Sequence, residues 1–596
     1  MIGATLKTIT IPLSASVPAG GTITANYPSG ESRKSYMSAG AVLVIGENNV
    51  YTSGFSLTLG ASSFTVTNPG AAILSGTTVR LALKTPAENA GTSLAALAAT
   101  VGYVEYAGSP IGNLTPDFIG QRCQDTSTGL FYVAQTATSA GWRMSVVDGA
   151  IDIRSYGAKC DGQAVYDAVV TGASAGSMTL TSATANFTAA DVGKLCAHKP
   201  RTASGNYTRF GTITAVNSST SITISVSGVT ATTGQLFVWG TNDQTAITNA
   251  LAAGLSSKRP VYFPNGITCA SAQIVVPTGV TICGSGNTTT VGYARNFEYR
   301  NSSLVLLAYD ATSGGFIKLG SGVAAERGSN IYDMNIDCLD LQSQCVNTDG
   351  TTRGNHVRGV TLVRGTDTTY QSSASSVTES CTIIQNQLGT CAKIAGDSRF
   401  INNYVFGAGN GFHGVHINSS DVYCGQNHIW KDSDTASALG SAVYINVFGG
   451  VTSSPSKGSI TIEGNQFDTS FGPHILIDVA ASTYGRAVAI VGNHGFQNDS
   501  VPNATYPCIK INVGASGSLR ALSIVGNVFQ GSWNDNTKGQ YTYLIDGSGI
   551  TGTVIATTCY GNMADNCAAL YNSFAPTTTA GNSVIPGAVA TAVTTG

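Results

Sequence analysis

The chain contains 596 residues, of which 42% are hydrophobic and only 10% are charged, and its formal net charge is −2 at pH 7. This balance excludes a strong electrostatic attraction to nucleic acid or to an anionic membrane. The low charge and the 71 glycines among many Thr, Ser, Asn and Val residues argue against helical bundles and favour an all-β chain with many turns.

Residues 1–86 predict a compact N-terminal β domain. Stretches such as "KTITIPL", "AVLVIG" and "SFTVTN" alternate apolar and polar residues, and glycine-rich turns separate them. Residues 87–102 contain "AENAGTSLAALAAT", which we interpret as a linker or neck helix. The first residues lack a positively charged segment followed by an apolar one, so no signal peptide is predicted. No apolar run reaches the roughly 18 residues of a membrane span, so no membrane insertion is expected.

Residues 103–149 predict a separate small unit built around a β-hairpin. The stretches "GQRCQD" and "LFYVAQ" have the composition of strands, and "TSTG" between them has the composition of a turn. The unit resembles a short module of phage tail and spike proteins through Pro116, Gly120, Gln121, Asp125, Thr126, Tyr132 and Trp142.

The 13 cysteines are scattered and never form a Cys-x-x-Cys arrangement, so we expect small buried thiols in a β core. Three pairs are close enough in sequence to bridge: Cys338/Cys345, Cys381/Cys391 and Cys559/Cys567. His413 and His416 lack a further ligand at usable spacing, and on one strand they would point to opposite faces. No metal or other cofactor is therefore predicted.

The C-terminal half repeats a short pattern of apolar residues followed by Gly-Asn, as in "ITIEGNQF", "IVGNHGF" and "SIVGNVF". The repeated asparagines are separated by 17, 24, 38, 28, 34 and 35 residues: Asn386, Asn403, Asn427, Asn465, Asn493, Asn527 and Asn562. Variable loops on coils of at least about 20 residues explain such spacings. Asparagine tolerates left-handed turns and can hydrogen-bond to its equivalent in the next coil. The pattern predicts a parallel β-helix.

A short helix is predicted where this solenoid begins. In "TNDQ", Thr241 and Gln244 have the spacing of a capping box. An apolar helical stripe follows at Ala246, Ile247, Ala250 and Leu251. Such a helix would cover the open end of the first coil.

The start of the solenoid resembles the pectate-lyase-like right-handed β-helix of bacteriophage tailspikes. The resemblance rests on "IRSYGAKCDG", "NDQTAITNAL", "VYFPNG" and "VPTGVTICGSG". It implies a β-helix over residues 150–585, a β insertion at 163–240 within the capping turn, and a C-terminal tail at 586–596. It further implies a homotrimeric spike on the virion that binds, and often cleaves, bacterial surface polysaccharide such as O-antigen or capsule. The N-terminal domain would then attach the spike to the phage particle, or alternatively bind carbohydrate.

Polysaccharide hydrolysis requires two carboxyl groups, and adjacent coils of a β-helix can supply them. We aligned coils by apolar pairs five residues apart: Ile331/Ile336, Val357/Leu362, Ile401/Phe406, Ile462/Phe467 and Ile524/Phe529. This alignment places Trp430 beside Asp468 on the outer surface. Asp434 and Asp468 are the first-choice catalytic pair, with Asp432 and Asp478 as substitutes, Trp430 as the sugar platform, and His474 and Tyr444 as further substrate-binding residues.

A second carboxylate groove is predicted at Asp337, Asp340 and Glu379, with Arg358 and Arg364 nearby. Two alternatives to hydrolysis remain. The first is a spike that binds polysaccharide without cleaving it. The second is a lyase that uses Tyr444 or His474 as its base.

Overall fold

The computed structural model describes the following residues: 8–12, 21–26, 43–45, 49–50, 56–59, 63–67, 78–82, 103–126, 131–144, 149–174, 177–199, 208–225, 235–286, 299, 301–308, 315–320, 328–348, 353–385, 389–409, 411–431, 440–446, 458–468, 472–497, 506–531 and 541–585. The chain divides into two units, Met1–Met144 and Ser145–Gly596. In the described part of the chain, no helix has the length and apolar character that a membrane crossing requires.

The described residues of the N-terminal unit form short strands in three sheets. The first sheet has the order Thr8–Pro12, Thr78–Ala82, Leu43–Ile45, Asn49–Val50. The second has the order Thr22–Asn26, Ser63–Thr67, Ser56–Leu59, and the third Trp142–Met144, Phe131–Ala134, Arg122–Asp125, Tyr103–Tyr106. In the third sheet, Phe131 pairs antiparallel with Gln124, as the hairpin pattern predicts. The proposed neck helix at 87–102 lies outside the described residues.

Residues 163–240 form a closed six-stranded barrel inserted in the capping turn. Its strands have the order Gln163–Ser174, Ser177–Thr181, Ser221–Ile224, Arg209–Ser218, Leu195–Lys199, Gln235–Gly240. The barrel has its own apolar core, in which Phe187 packs against Trp239 with ring centroids 4.8 Å apart. It also contains the 3-10 helix Ala189–Asp191. The insertion is therefore a separately packed module on the second unit.

The second unit is a parallel β-helix, as the repeats predict, with three long sheets that we name A, B and C. Sheet A contains, in order, Ile151–Asp152, Val261–Tyr262, Thr281–Cys283, Asn330–Tyr332, His356–Arg358, Val377–Glu379, Arg399–Ile401, Val422–Gly425, Ile460–Glu463, Tyr484–Val491, Ser518–Val525, Thr553–Tyr560 and Thr578–Ala580. Sheet B contains Gly266–Ala270, Ser302–Leu306, Asn335–Asp337, Thr361–Val363, Thr382–Ile384, Tyr404–Phe406, His428–Trp430, Gln466–Asp468, His494–Phe496, Val528–Gln530, Met563–Asp565 and Ser583–Ile585. Sheet C contains Ile274–Val276, Ile317–Leu319, Gln344–Thr348, Thr368–Gln371, Thr390–Ile394, Val415–Ile417, Val443–Ile445, Ile475–Val479, Ile509–Val513, Tyr541–Ile550 and Cys567–Asn572.

A ladder of buried asparagines follows the turn between sheets A and B. Each side-chain amide donates to the carboxamide oxygen of the next coil at 2.8–3.0 Å, along Asn403, Asn427, Asn465, Asn493, Asn527, Asn562 and Asn582. The residue before each asparagine has a positive φ, as at Gly464 with φ 61°. The predicted ladder is thus confirmed from Asn403 to Asn562, and Asn582 extends it. Asn386 lies outside the described residues, and Cys381 occupies the ladder position of that coil, where its N–H donates to Asn403 Oδ1.

The central residue of each short strand in sheet B enters one continuous apolar core. One predicted register is wrong by a single residue. Phe400 and Val405 point inward where we expected Ile401 and Phe406, because the inward residue lies three positions before the ladder asparagine, as Ile462 does before Asn465, and the ladder asparagine here is Asn403. All 13 cysteines are free thiols and most of them are buried, as expected, and none of the three pairs that are close in sequence is bridged.

The capping helix Gln244–Ser257 buries its predicted stripe of Ala246, Ile247, Ala250 and Leu251 against the first coils. The predicted capping box is wrong, because Asp243 and not Thr241 precedes the helix. The Asp243 carboxylate instead accepts the N–H groups of Lys159 and Cys160 at 2.6 and 3.1 Å. The capping turn itself carries the 3-10 helix Ile153–Tyr156, and a third 3-10 helix spans Ser139–Gly141 in the N-terminal unit.

Candidate active site

Two columns of side chains cover the outer surface of sheet B, one on each side of the buried central residues. From Tyr404 onward we name these residues the sheet B strip: Tyr404, Phe406, His428, Trp430, Gln466, Asp468, His494, Phe496, Val528, Gln530, Met563 and Asp565. The strip combines flat aromatic rings with groups that donate or accept hydrogen bonds. Sugar rings present apolar C–H faces and hydroxyl groups, so this combination suits a polysaccharide.

Trp430 and Asp468 occupy equivalent positions on consecutive coils of the strip, as the coil alignment predicts. The indole is half-buried and meets the ring of Phe406 edge to face, with centroids 4.7 Å apart and planes at 84°. Phe406 belongs to a small outer apolar cluster with Val363 and Ile384. The tryptophan therefore stands on a packed base beside a carboxylate.

Asp468 is bound by two side chains of the strip. His428 Nε2 lies 2.5 Å from Asp468 Oδ2, and Gln466 Nε2 donates to Oδ1 at 3.2 Å. Burial opposes ionisation of this carboxyl, but the bonds from His428 and Gln466 outweigh burial and hold its pKa below the ordinary value. Asp468 is therefore a carboxylate at neutral pH, which suits a base or nucleophile. The sequence reasoning missed His428, although strand alternation places it beside Trp430 across the inward Ile429.

Among the described residues, no second carboxyl group of the strip lies close to Asp468. Asp432 and Asp434 lie in 432–439, outside the described residues. Asp565 lies three coils away in the same column, which is about 14 Å at the usual strand spacing. The carboxyl groups of glycosidases are separated by only about 5–10 Å. Asp565 is therefore too distant to be the partner of Asp468.

The second predicted groove does not form an open surface at Asp337. This carboxylate is 1% exposed and is bound by Arg364, by the hydroxyl of Tyr299 at 2.7 Å, and by the N–H of Leu339 at 2.8 Å. Burial, and after it the negative charge of Asp337, raise the pKa of Tyr299 well above its ordinary value, so its hydroxyl keeps its proton and donates it to Asp337. Asp337 is a structural group in this arrangement.

The other two residues of that groove are also separated. Asp340 is buried against Lys199 of the inserted barrel, which covers this part of sheet B. Glu379 lies on sheet A, where it binds His356 Nε2 at 2.9 Å. The sequence showed these residues on nearby coils, but it did not show that the insertion covers one and that the other faces a different side.

The remaining predicted site residues lie away from the strip. Tyr444 and Asp478 are on the outer surface of sheet C, where their side chains bind each other. His474 is fully buried and stacks between Phe467 and Phe529, and its Nε2 bonds to the hydroxyl of Tyr541 at 2.6 Å. Burial lowers the pKa of His474 to about 3. A histidine enclosed in this way cannot contact a polysaccharide.

His413 and His416 do not point to opposite faces as we expected. His413 precedes the strand Val415–Ile417, and the rings of both histidines contact Tyr444, with centroids 4.1 and 4.8 Å away. Within the described residues, no group of three or more His, Cys, Asp or Glu side chains is arranged to hold a metal ion.

No protein-family model and no curated protein matches the chain. Solved structures show weak similarity. The DFA-IIIase of Arthrobacter chlorophenolicus A6 without its lid has a TM-score of 0.37 and 15% identity, covering 57% of this chain and 90% of its own.

Two further solved structures are similar to the same degree. The catalytic unit of the GH87 alpha-1,3-glucanase of Streptomyces thermodiastaticus strain HF3-3 has a TM-score of 0.30 and 12% identity, covering 72% of this chain and 96% of its own. The Agl-KA catalytic domain has a TM-score of 0.35 and 11% identity, covering 71% and 87%. Scores this low carry no argument about the activity of this chain.

Proposed function

We propose that the protein binds bacterial surface polysaccharide along the sheet B strip and cleaves it by endoglycosidic hydrolysis. The observation that carries the proposal is the half-buried indole of Trp430 on the coil next to the Asp468 carboxylate. The aromatic face supports a sugar ring, and the carboxylate then lies within reach of the neighbouring glycosidic bond. His428 keeps Asp468 ionised and oriented.

In this mechanism Asp468 supplies the negative charge, either as the base that activates water or as the nucleophile at the anomeric carbon. A second carboxyl group must protonate the leaving oxygen. Asp434 is our first choice for this acid and Asp432 the second, because both follow Trp430 directly in the chain. Asp478 is no longer a substitute for them, because it lies on sheet C.

Hydrolysis is tested by incubating the protein with purified O-antigen and capsular polysaccharides and sizing the products by gel filtration. We expect shortened chains with the wild type and a loss of at least about 100-fold in rate with Asp468→Asn or Asp434→Asn. Asp397→Asn, at an exposed carboxylate in the turn between the strands Thr390–Ile394 and Arg399–Ile401, is the matched control and keeps full activity. Full activity of both Asp468→Asn and Asp434→Asn would refute the catalytic assignment. Ultraviolet-absorbing unsaturated products would identify a lyase instead.

A second candidate function is binding without cleavage. The observation that favours it is that, among the described residues, Asp468 is the single carboxylate beside Trp430, whereas hydrolysis requires two carboxyl groups. In that case the polysaccharides retain their length, while Trp430→Ala still weakens their binding. Shortened products exclude this candidate.

We further propose that the protein is a homotrimeric tailspike carried on a phage virion, with residues 1–86 attaching it to the tail or baseplate. The support is the resemblance of the capping turn and of the 103–149 module to phage proteins. Light scattering of the purified protein tests the assembly. A particle of three 60.9-kDa chains is expected, and a monomer would contradict the proposal.

A further inference from the structure

A cluster of polar and aromatic side chains lies on sheet C, on a different face from the sheet B strip. We name it the Tyr444 cluster, and it consists of Phe412, His413, His416, Tyr444, Asn446, Asp478 and Asn512. His416 and Tyr444 are paired on consecutive coils. Asp478 and Asn512 are paired on the next two. The cluster therefore spans four coils of one sheet.

A chain of hydrogen bonds orders the middle of the cluster. His416 Nε2 bonds to Asn446 Oδ1 at 2.7 Å, and Asn512 Nδ2 donates to Asp478 Oδ1 at 2.5 Å. The Tyr444 hydroxyl lies between them and interacts with both Asn446 and Asp478. Because an amide oxygen only accepts hydrogen bonds, His416 carries its proton on Nε2, and its Nδ1 is left with a lone pair.

The hydrogen bonds of His413 also determine which of its ring nitrogens carries the proton. Its Nδ1 accepts the backbone N–H of Ser441 at 3.2 Å, a donor whose direction the backbone fixes. The Ser441 hydroxyl lies 3.0 Å from the same nitrogen and 3.0 Å from the carbonyl of Val443, so it has two acceptors within reach. The proton of His413 is therefore on Nε2, and burial lowers the pKa of this histidine to about 3, so the ring stays neutral. The cluster thus presents one neutral ring N–H donor and one neutral ring nitrogen acceptor.

An aromatic surface adjoins these polar groups. Phe412 directly precedes His413 in the chain and exposes 39% of its surface. Together an exposed phenyl ring, a ring N–H, a ring nitrogen and a carboxylate offer the groups that a sugar ring needs, since a sugar has an apolar C–H face and hydroxyls that both donate and accept. Neutral donors and acceptors suit hydroxyl groups better than a charged ligand.

The cluster and the strip lie on the same coils. The coil that contributes Trp430 to sheet B contributes Tyr444 to sheet C, and the next coil contributes Asp468 and Asp478. We propose that the Tyr444 cluster is a second saccharide-binding site, which holds a further stretch of the hydroxyl-rich polysaccharide that binds to the sheet B strip. This inference rests on the proposed function. It adds a site on a second face, whose role is to retain the polymer.

The test is affinity electrophoresis of the full chain carrying Asp468→Asn, through gels containing the O-antigen or capsular polysaccharide that the protein binds. His416→Leu removes the acceptor and Phe412→Ser removes the exposed ring. Each weakens binding by about fivefold to tenfold, the effect of losing one good contact. His416→Asn keeps an acceptor near the position of Nδ1 and retains most of the affinity.

The matched control is Asn347→Ala, in the same outward column of sheet C three coils before His416. It leaves the affinity unchanged, and circular dichroism verifies that every variant is folded. Unchanged binding by both His416→Leu and Phe412→Ser overturns the inference, as does equal weakening by the control. Product sizing with protein that retains Asp468 measures hydrolysis separately from binding. An absence of cleavage therefore tests the proposed function, and unchanged affinity of the variants tests the Tyr444 cluster.

Discussion

Asn427 and Asn465 are 38 residues apart in the chain, yet Asn465 Oδ1 accepts both the backbone N–H and the side-chain amide of Asn427, at 3.0 and 2.9 Å. Asn465 in turn donates to the carbonyl of Cys424 at 3.0 Å. Every rung of the ladder thus satisfies buried polar groups of two coils. The ladder is a continuous hydrogen-bonded element inside the turn.

Replacing Asn465 by Ala should therefore destabilise the β-helix strongly. The variant leaves buried donors of Asn427 and the carbonyl of Cys424 without their partner, which costs about 2–4 kcal/mol in total. Urea unfolding followed by circular dichroism measures the effect. Asn217→Ala removes an exposed side chain of the inserted barrel and should change the midpoint little; an equal loss in both variants would contradict the role of the ladder.

A second prediction concerns Gly495, the core position at which His474 is accommodated. A Cβ at Gly495 would lie 2.5 Å from the Phe529 ring and 2.8 Å from the His474 ring. Gly495→Ala therefore overpacks the core and should cost about 1–3 kcal/mol. Gly492→Ala is the control, because open space surrounds that position and only its φ of 60° is unfavourable. A smaller loss of stability for Gly495→Ala than for Gly492→Ala would disprove the packing argument.

The stability of the fold should fall in mild acid because burial lowers the pKa of four histidines, one of which is His416. Burial lowers the pKa of His474 and His413 to about 3 and that of His198 to about 4. Below the ordinary histidine pKa of about 6.5, the unfolded chain binds protons that the folded chain does not. Stability is therefore complete above that pH, and each histidine removes about 1.4 kcal/mol per pH unit as the pH falls toward its folded pKa.

Unfolding midpoints in urea between pH 7 and about 4.5 test this prediction, since that window lies above the ordinary pKa of Asp. His474→Phe replaces the stacked ring with an apolar one and should reduce the slope by roughly a quarter to a third. The hydroxyl of Tyr541 keeps the carbonyl of Gln530 as an acceptor at 3.3 Å in that variant. An unchanged slope would show that His474 is protonated in the folded protein.

The inserted barrel should be held to the β-helix by the ion pair of Lys199 and Asp340. Burial lowers the pKa of Lys199 to about 7, so the comparison is made at pH 6, where this amine is a cation. Lys199→Met then leaves the buried carboxylate of Asp340 without this cation, and we expect a loss of about 3–5 kcal/mol. The double variant Lys199→Met with Asp340→Leu should recover much of it, because no buried charge remains uncompensated. Thermal unfolding measures both variants. Lys258→Met, at the exposed end of the capping helix, should have no effect.

The β-helix was predictable because its determinants are local. A residue with positive φ followed by a stacking asparagine forms the turn, and inward apolar residues flank it, so each coil repeats a recognisable pattern. The single error of register, at Ile401, arose because the apolar pair of that coil was chosen only by its five-residue spacing. The stacking of Asn403 on Asn427 fixes the ladder position, and the core residue three positions before it is Phe400.

The capping turn was also recognisable, but its bonding was not. The chain order suggested that Thr241 caps the helix, whereas Asp243 reaches back to the N–H groups of Lys159 and Cys160. These contacts join residues that are 83 and 84 positions apart, because a whole barrel is inserted between them in the chain. No local pattern reports such a contact.

The sequence by itself determined the solenoid, the capping helix and the position of Trp430 beside Asp468, because hydrogen bonding between equivalent residues sets the register of parallel coils. Tertiary structure alone decided which carboxylates reach the surface. Asp337 and Asp468 occupy the same column, yet Arg364 and Tyr299 bury the first, while the second is half-buried beside Trp430. The exposure of a side chain depends on what distant segments pack over it, and spacing within a repeat carries no information about that packing.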